Sequence, residues 1–257
     1  MSSYEIYIAY STIVRKEIQR FMRIWVQTLL PPSIIMVLYF IIFGNLIGSR
    51  IGQMGGFDYM QFIVPGLIMM SVITNSYGNV VSSFYSTKYQ GSIEEMLVSP
   101  MPNWVILAGY VTGGVARGLA VGAIVTTLSL FFTHLEIYNL GIITLVVLMT
   151  SILFSLGGFI NAVFANSFDD ISIVPTFILT PLTYLGGVFY SIDLLPDFWA
   201  GVSQLNPILY MVNAFRYGIL GVSDIPVGYA LLVISVFIVA LFSYCMHLLN
   251  TGKGIRK

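Results

Sequence analysis

Ser71, Asn75, Asn79 and Ser82 recur at intervals of four, four and three residues. That spacing puts four small hydrogen-bonding side chains on one face of a helix. Farther along, Thr176, Thr180 and Thr183 form a second stripe, with Pro175 and Pro181 bending the segment that carries it. These groups donate and accept hydrogen bonds; they are neither nucleophile–base pairs nor metal ligands. Both stripes lie in charge-free runs, where polar side chains must face protein or water. Two readings stay open. The stripes are helix–helix hydrogen bonds, worth about 0.6 kcal/mol each on average, or together they line a polar path.

Arg117 stands alone in another such run, among Gly109, Gly113, Gly114, Gly118 and Gly122. Small residues four apart let helices approach closely, so the glycines predict packing. The arginine is read either as an interfacial residue snorkelling from an over-long helix or as a cavity-facing contact for an anionic headgroup.

Ser92-Ile-Glu-Glu-Met-Leu97 carries a different signal. Ser92 and Glu95 have the spacing of a capping box. Ile93, Met96 and Leu97 make a small apolar face, and Pro100 and Pro102 stop the helix. The spacing predicts a short amphipathic helix whose apolar face packs on its own chain or receives a partner. Ser92, Ile93, Glu94, Glu95, Met96 and Leu97 are thus a candidate docking element.

Much chemistry is missing. There is no Gly-x-Ser-x-Gly elbow. Gly252-Lys253 has His247 where a phosphate-binding loop needs its first glycine. One cysteine, Cys245, and two histidines, His134 and His247, leave no metal cluster to expect. Lys and Arg number 11, as do Asp and Glu, so no net field attracts nucleic acid.

The elements that must position these residues follow from composition. Of 257 residues, 57% are hydrophobic and 9% charged, against about 25% charged in soluble domains. A helix needs about 20 mostly apolar residues to cross a bilayer. Six runs qualify: Leu29 to Ile47, Phe62 to Phe84, Trp104 to Phe132, Leu140 to Phe164, Ile171 to Ser191 and Val227 to Leu249. Gly201 to Phe215 is also uncharged, but a seventh span would put the basic tail Lys253, Arg256, Lys257 outside. With six spans and both ends cytoplasmic, the inner segments hold Arg15, Lys16, Arg20, Arg23, Lys88 and that tail, as the positive-inside rule requires. No acid then falls inside a span, which argues against proton coupling. Arg216 and Asp224 are placed outside as a surface pair.

The first 28 residues lack the pattern of a secretory signal. Val14, Ile18, Phe21 and Trp25 set an apolar face against Arg15, Gln19, Arg20 and Arg23, which predicts a helix in the cytoplasmic interface. Asn206-Pro207 predicts a helix start before the last span.

Several segments resemble the permease family of type-2 ABC exporters. They are Lys16-Glu17, Arg20 to Pro32, Phe40-Ile-Ile-Phe-Gly-Asn-Leu-Ile-Gly48, Gln61-Phe-Ile-Val-Pro-Gly-Leu-Ile-Met-Met70, Phe168-Asp-Asp-Ile-Ser172 and Leu182-Thr-Tyr-Leu-Gly-Gly-Val-Phe-Tyr190. The strongest is Leu205-Asn-Pro-Ile-Leu-Tyr-Met-Val-Asn-Ala-Phe-Arg-Tyr-Gly-Ile-Leu-Gly221. The resemblance implies a dimer of this chain with two cytoplasmic ABC ATPase subunits, which hold ATP and Mg while this chain binds no cofactor. It implies that Ser92 to Leu97 is the coupling helix and that the N-terminal helix also meets the ATPase. Spans two and five would face the path, and the segment before span six would be external and partly re-entrant.

The expectation is therefore one all-α membrane domain over 1–257, without enzyme activity of its own. It comprises an interfacial helix at 1–28, spans one to five in 29–191, an external helical segment at 192–226, span six at 227–249 and a tail at 250–257. Its expected setting is the lipid of a bacterial inner membrane. Its expected task is outward movement of an amphiphilic, lipid-like or drug-like substrate. The competing expectation is a partner-independent channel or an ion-coupled carrier.

Overall fold

A computed structural model describes residues 2–255, apart from the Asn45 side chain. Arg256 and Lys257, counted above in the basic tail, lie outside the described residues. The described chain is all-α save for a two-residue hairpin, Gln53–Met54 against Phe57–Asp58.

Helix α1 (Ser3–Arg23) opens with a capping box. The Glu5 amide donates to Ser2 Oγ, and Ser2 N donates to Glu5 Oε2 at 2.7 Å. Helix α2 (Trp25–Ile51) is long and apolar enough to cross a membrane. It is irregular at Leu29, then has a π-helical stretch, Phe40–Ile47. Helices α3 (Tyr59–Tyr89), α5 (Asn103–Ser129) and α6 (Leu140–Phe164) are also of spanning length, as is the last helix, Val227–Thr251. Between α3 and α5 sits the short helix α4 (Ser92–Val98).

The fifth predicted span departs from expectation. Ile171 to Ser191 does not form one spanning helix. Helix α7 is a broken run, with an α turn Asp170–Val174, a π stretch Pro175–Leu179 and an α turn Thr180–Tyr184. Fifteen residues at 1.5 Å each reach about 22 Å, short of the roughly 30 Å hydrocarbon core. The chain continues through a bend in which Gly187 takes φ +70°, a left-handed value open to glycine. Two further helices follow, α8 (Asp197–Gln204) and α9 (Pro207–Leu220), before α10 (Val227–Thr251). Asn206 caps α9 as expected, its Oδ1 accepting from the Ile208 amide at 3.0 Å.

Hydrogen bonds show which element ends share a side. At one end, Lys88 Nζ donates to the Ala165 carbonyl at 2.9 Å and Asn103 Nδ2 to Asn250 Oδ1 at 2.8 Å. Tyr85 and Phe168 stack edge-on there. At the other end, Gln61 Nε2 donates to the His134 carbonyl, Tyr59 OH to the Phe189 carbonyl, and the Asn139 amide to the Gly218 carbonyl. The stretch from Asp170 to Phe189 therefore runs from one end of the bundle to the other, although its helix is short.

Helix α3 is the buried axis of the bundle, packed by α5, α6 and α9. Outer helices expose Ile34, Ile35, Leu38, Leu232, Val236 and Val239, an apolar surface suited to lipid. The glycines of α5 admit their neighbours closely. A Cβ on Gly109 would stand 2.5 Å from Ile13, and one on Gly113 would stand 2.5 Å from Glu17 Cβ. Helix α1 therefore docks directly on α5.

Candidate functional site

Helix α1 has three faces rather than two. Ile13, Glu17 and Phe21 point inward and are buried. Tyr4, Tyr7, Ile18, Met22 and Trp25 form an exposed apolar strip, with Arg15, Gln19 and Arg23 exposed beside it. Of the predicted apolar face, Ile18 and Trp25 are exposed, Val14 is half-buried and Phe21 belongs to the inward face.

Glu17 is the residue sequence reasoning missed. Its carboxylate is fully buried, and Ser83 Oγ donates to its Oε1 at 2.6 Å. Arg20 Nε lies 3.5 Å from Oε2, an ion pair without a hydrogen bond. Arg20 Nη2 donates to the Asn79 side-chain and backbone oxygens at 2.8 and 2.9 Å. A carboxylate in phase with Ile13 and Phe21 was the available signal, since an acid in an apolar row needs a partner.

The span-two stripe meets this seam. Asn79 is held by Arg20, and Arg20 Nη1 also reaches Ser82 Oγ at 3.4 Å. Asn75 Oδ1 accepts from Arg117 Nη2 at 3.0 Å. Ser71 is buried and donates to the Leu67 carbonyl. Three of the four stripe residues, Ser71, Asn75 and Asn79, are thus covered by the chain itself. The open line of α3 lies one residue away, at Met70, Thr74, Gly78 and Ser82, none of them buried. A Cβ on Gly78 would meet nothing within 4 Å.

Arg117 lies near the middle of α5 and contacts Asn75 near the middle of α3. Its Nη2 also reaches the Thr28 carbonyl at 3.3 Å. Residue 32 is proline and has no N–H to give that carbonyl. The same logic holds at α7, where Pro175 frees the Ile171 carbonyl and Asn161 Nδ2 donates to it at 3.1 Å. Backbone groups in the bilayer need such internal partners.

On α7, Thr176 and Thr180 are exposed beside Phe177 and Tyr184, whereas Thr183 is buried and bonded to the Leu179 carbonyl. The predicted threonine face is therefore split. Its broken end is finished by α9. Arg216 Nη2 donates to the Gly187 carbonyl at 2.6 Å, with the guanidinium 3.9 Å over the Phe62 ring, and Asn206 Nδ2 donates to the Leu182 carbonyl. Arg216 is fully buried, which corrects the expected surface pair with Asp224. Asp224 instead accepts from the Ile192 amide at 3.1 Å.

Helix α4 forms where predicted, but Ser92 is not its cap. Only Gln90 and Gly91 separate it from α3, so Gly91, at φ +78°, occupies the cap position and Ser92 is already helical. Ile93 is buried, and Met96 and Leu97 pack against the core. Glu94, Glu95 and Val98 remain outward, with Val98 87% exposed.

This chain matches the family model described as "ABC-2 type transporter" over residues 8–220. It belongs to the ABC-2 type transporter family. The chain is 62% identical over 250 residues to "Inner membrane transport permease YadH" of Escherichia coli K12, covering 97% of this chain and 98% of that protein. It is 24% identical over 221 residues to "Nodulation protein J" of Rhizobium leguminosarum bv. viciae, covering 83% of each. ABC-2 permeases are membrane subunits of ABC transporters, so membership implies a separate ATP-binding partner. The matched region takes in the α1 seam, α4 and the α7–α9 junction.

Proposed function

We propose that this chain is the permease of an ATP-driven exporter in a bacterial inner membrane, moving an amphiphilic, lipid-like or drug-like substrate outward. The observation that carries this reading is the open line of α3. A helix otherwise largely buried leaves Met70, Thr74, Gly78 and Ser82 uncovered, and α7 separately leaves Thr176 and Thr180 exposed. Polar and small residues left open at membrane depth call for protein or water opposite them. A second copy of the chain, with the path between the two, supplies that.

The chain crosses the membrane six times with both ends cytoplasmic. Five helices have spanning length, and the run from Ile171 to Ser191 makes the sixth crossing, its break covered by a re-entrant α8–α9 element. Helix α4 is the coupling helix, offering Glu94, Glu95 and Val98 to one of two ATPase subunits, each holding ATP and Mg. ATP-driven closure of that pair moves α4 and switches access to the path.

The test is affinity purification of the chain from native membranes under gentle extraction. A stoichiometric ATP-binding-cassette subunit is expected, and Glu94→Lys with Glu95→Lys is expected to lose it without unfolding the permease. A chain recovered alone contradicts the reading and moves attention to a channel or an ion-coupled carrier.

A further inference from the structure

Three arginines lie inside the described bundle, and they are not equivalent. Arg216 is fully buried and closed off, its Nε and Nη2 donating to backbone carbonyls. Arg20 and Arg117 sit on one edge of the open line of α3, through Ser82 and Asn79 for the first and Asn75 for the second. Together they carry two positive charges against the single negative charge of Glu17. Among the described residues, no carboxylate forms an ion pair with Arg117. Arg20 keeps 29% of its side chain exposed and Arg117 is half-buried. Arg117 Nε and the fully buried Asn79 Nδ2 have no hydrogen-bond partner.

Excess positive charge at membrane depth is costly and calls for an anion. A guanidinium fork matches phosphate or carboxylate oxygens better than a point charge does. The track beside the forks holds Met70, Thr74 and Gly78, with open space over Gly78, and an acyl chain lying along it would bring its headgroup to the arginines.

We infer that Arg20 and Arg117 are two rungs of a binding track for the anionic headgroup of an amphiphile. The inference rests on the exporter reading, because it takes the open line of α3 as the substrate's route. Arg20 lies nearer the end that carries Lys88, and Arg117 lies deeper, so the headgroup meets them in that order.

The experiment uses the full chain in lipid nanodiscs with spin-labelled phosphatidylglycerol or spin-labelled phosphatidylcholine as probe. The wild-type chain is expected to immobilise the anionic lipid about tenfold more strongly, the scale of one charge-assisted contact. Arg117→Gln, and separately Glu17→Gln with Arg20→Gln, are expected to remove most of that preference. Arg117→Lys, which keeps the charge and the fold but loses the fork, is expected to lower it severalfold. An undiminished preference in the first two variants overturns the inference. Full displacement of the labelled lipid by millimolar inorganic phosphate also overturns it, since the site would then take a small free anion. A wild-type preference in a chain that never captures an ATP-binding subunit supports the track and removes the exporter reading, so the two failures are distinguishable.

Discussion

Arg117 Nη2 stands 3.3 Å from the Thr28 carbonyl, the one that Pro32 leaves without a helical donor. One side chain thereby ties the break in α2 to the middle of α5, and through Asn75 to α3. The site and the fold share this residue, so its replacement acts on both. Arg117→Ala is expected to destabilise the permease by about 1–3 kcal/mol, the cost of leaving buried partners unmade. Arg117→Lys should recover most of it. Thermal unfolding in one detergent decides, and equal melting temperatures for alanine and wild type would count against the tie.

Arg216 makes a sharper case, because it is fully buried and completes the end of a broken helix. Arg216→Met keeps the volume but leaves the Gly187 carbonyl without its donor. A loss of about 3 kcal/mol or more is expected from a broken buried network. Limited proteolysis between residues 185 and 196 should speed up in step. A stable, uncut variant would show that α9 holds the bend without its arginine.

Gly78 and Gly113 should respond in opposite ways. Gly78→Ala meets no neighbour and gains helix propensity of about 1 kcal/mol, so stability holds or rises. Gly78→Trp should also fold, yet stop transport by filling the open line. Gly113→Val should force α1 away, because the new Cβ lies 2.5 Å from Glu17 Cβ. Protease sensitivity of α1, read against transport rate, separates the two sites.

Asp170, at the first turn of α7, gives a pH dependence. The amide of Asn166, the Ser167 hydroxyl and the Ser167 amide donate to its carboxylate, and hold it below the usual carboxylate range. A depressed folded value means stability that is present above the unfolded value and is lost as pH falls through the folded one. Amide exchange at Asn166 and Ser167 should quicken over that acidic window, corrected for intrinsic rates. Asp170→Asn should flatten the change; an identical profile in the variant would refute the assignment.

The sequence made the spanning helices legible wherever apolar length alone decides, as in Leu140–Phe164, whose ends match to the residue. The short helix α4 was legible from its flanking prolines, but its cap was not, because the two-residue link to α3 leaves Gly91 at the cap position. The S-x-x-E pattern that does cap a helix lies at Ser2 and Glu5. The polar stripe on span two was found one position off the open line, since periodicity gives a face but not which neighbour covers it. Arg216 looked exposed because charge counting sees a cation beside Asp224, not the Gly187 carbonyl it donates to. Glu17 was missed because its partners, Ser83 and Arg20 against Asn79, come together only once α1 folds against α3.

The most direct test of exporter function uses inside-out membrane vesicles holding the permease with its co-purifying ATP-binding subunit. A fluorescent anionic amphiphile is added outside the vesicles, the former cytoplasmic side. The account predicts uptake that needs ATP, survives collapse of proton and sodium gradients, and is lost in Gly78→Trp although that variant folds. Uptake that follows an ion gradient without ATP would contradict it.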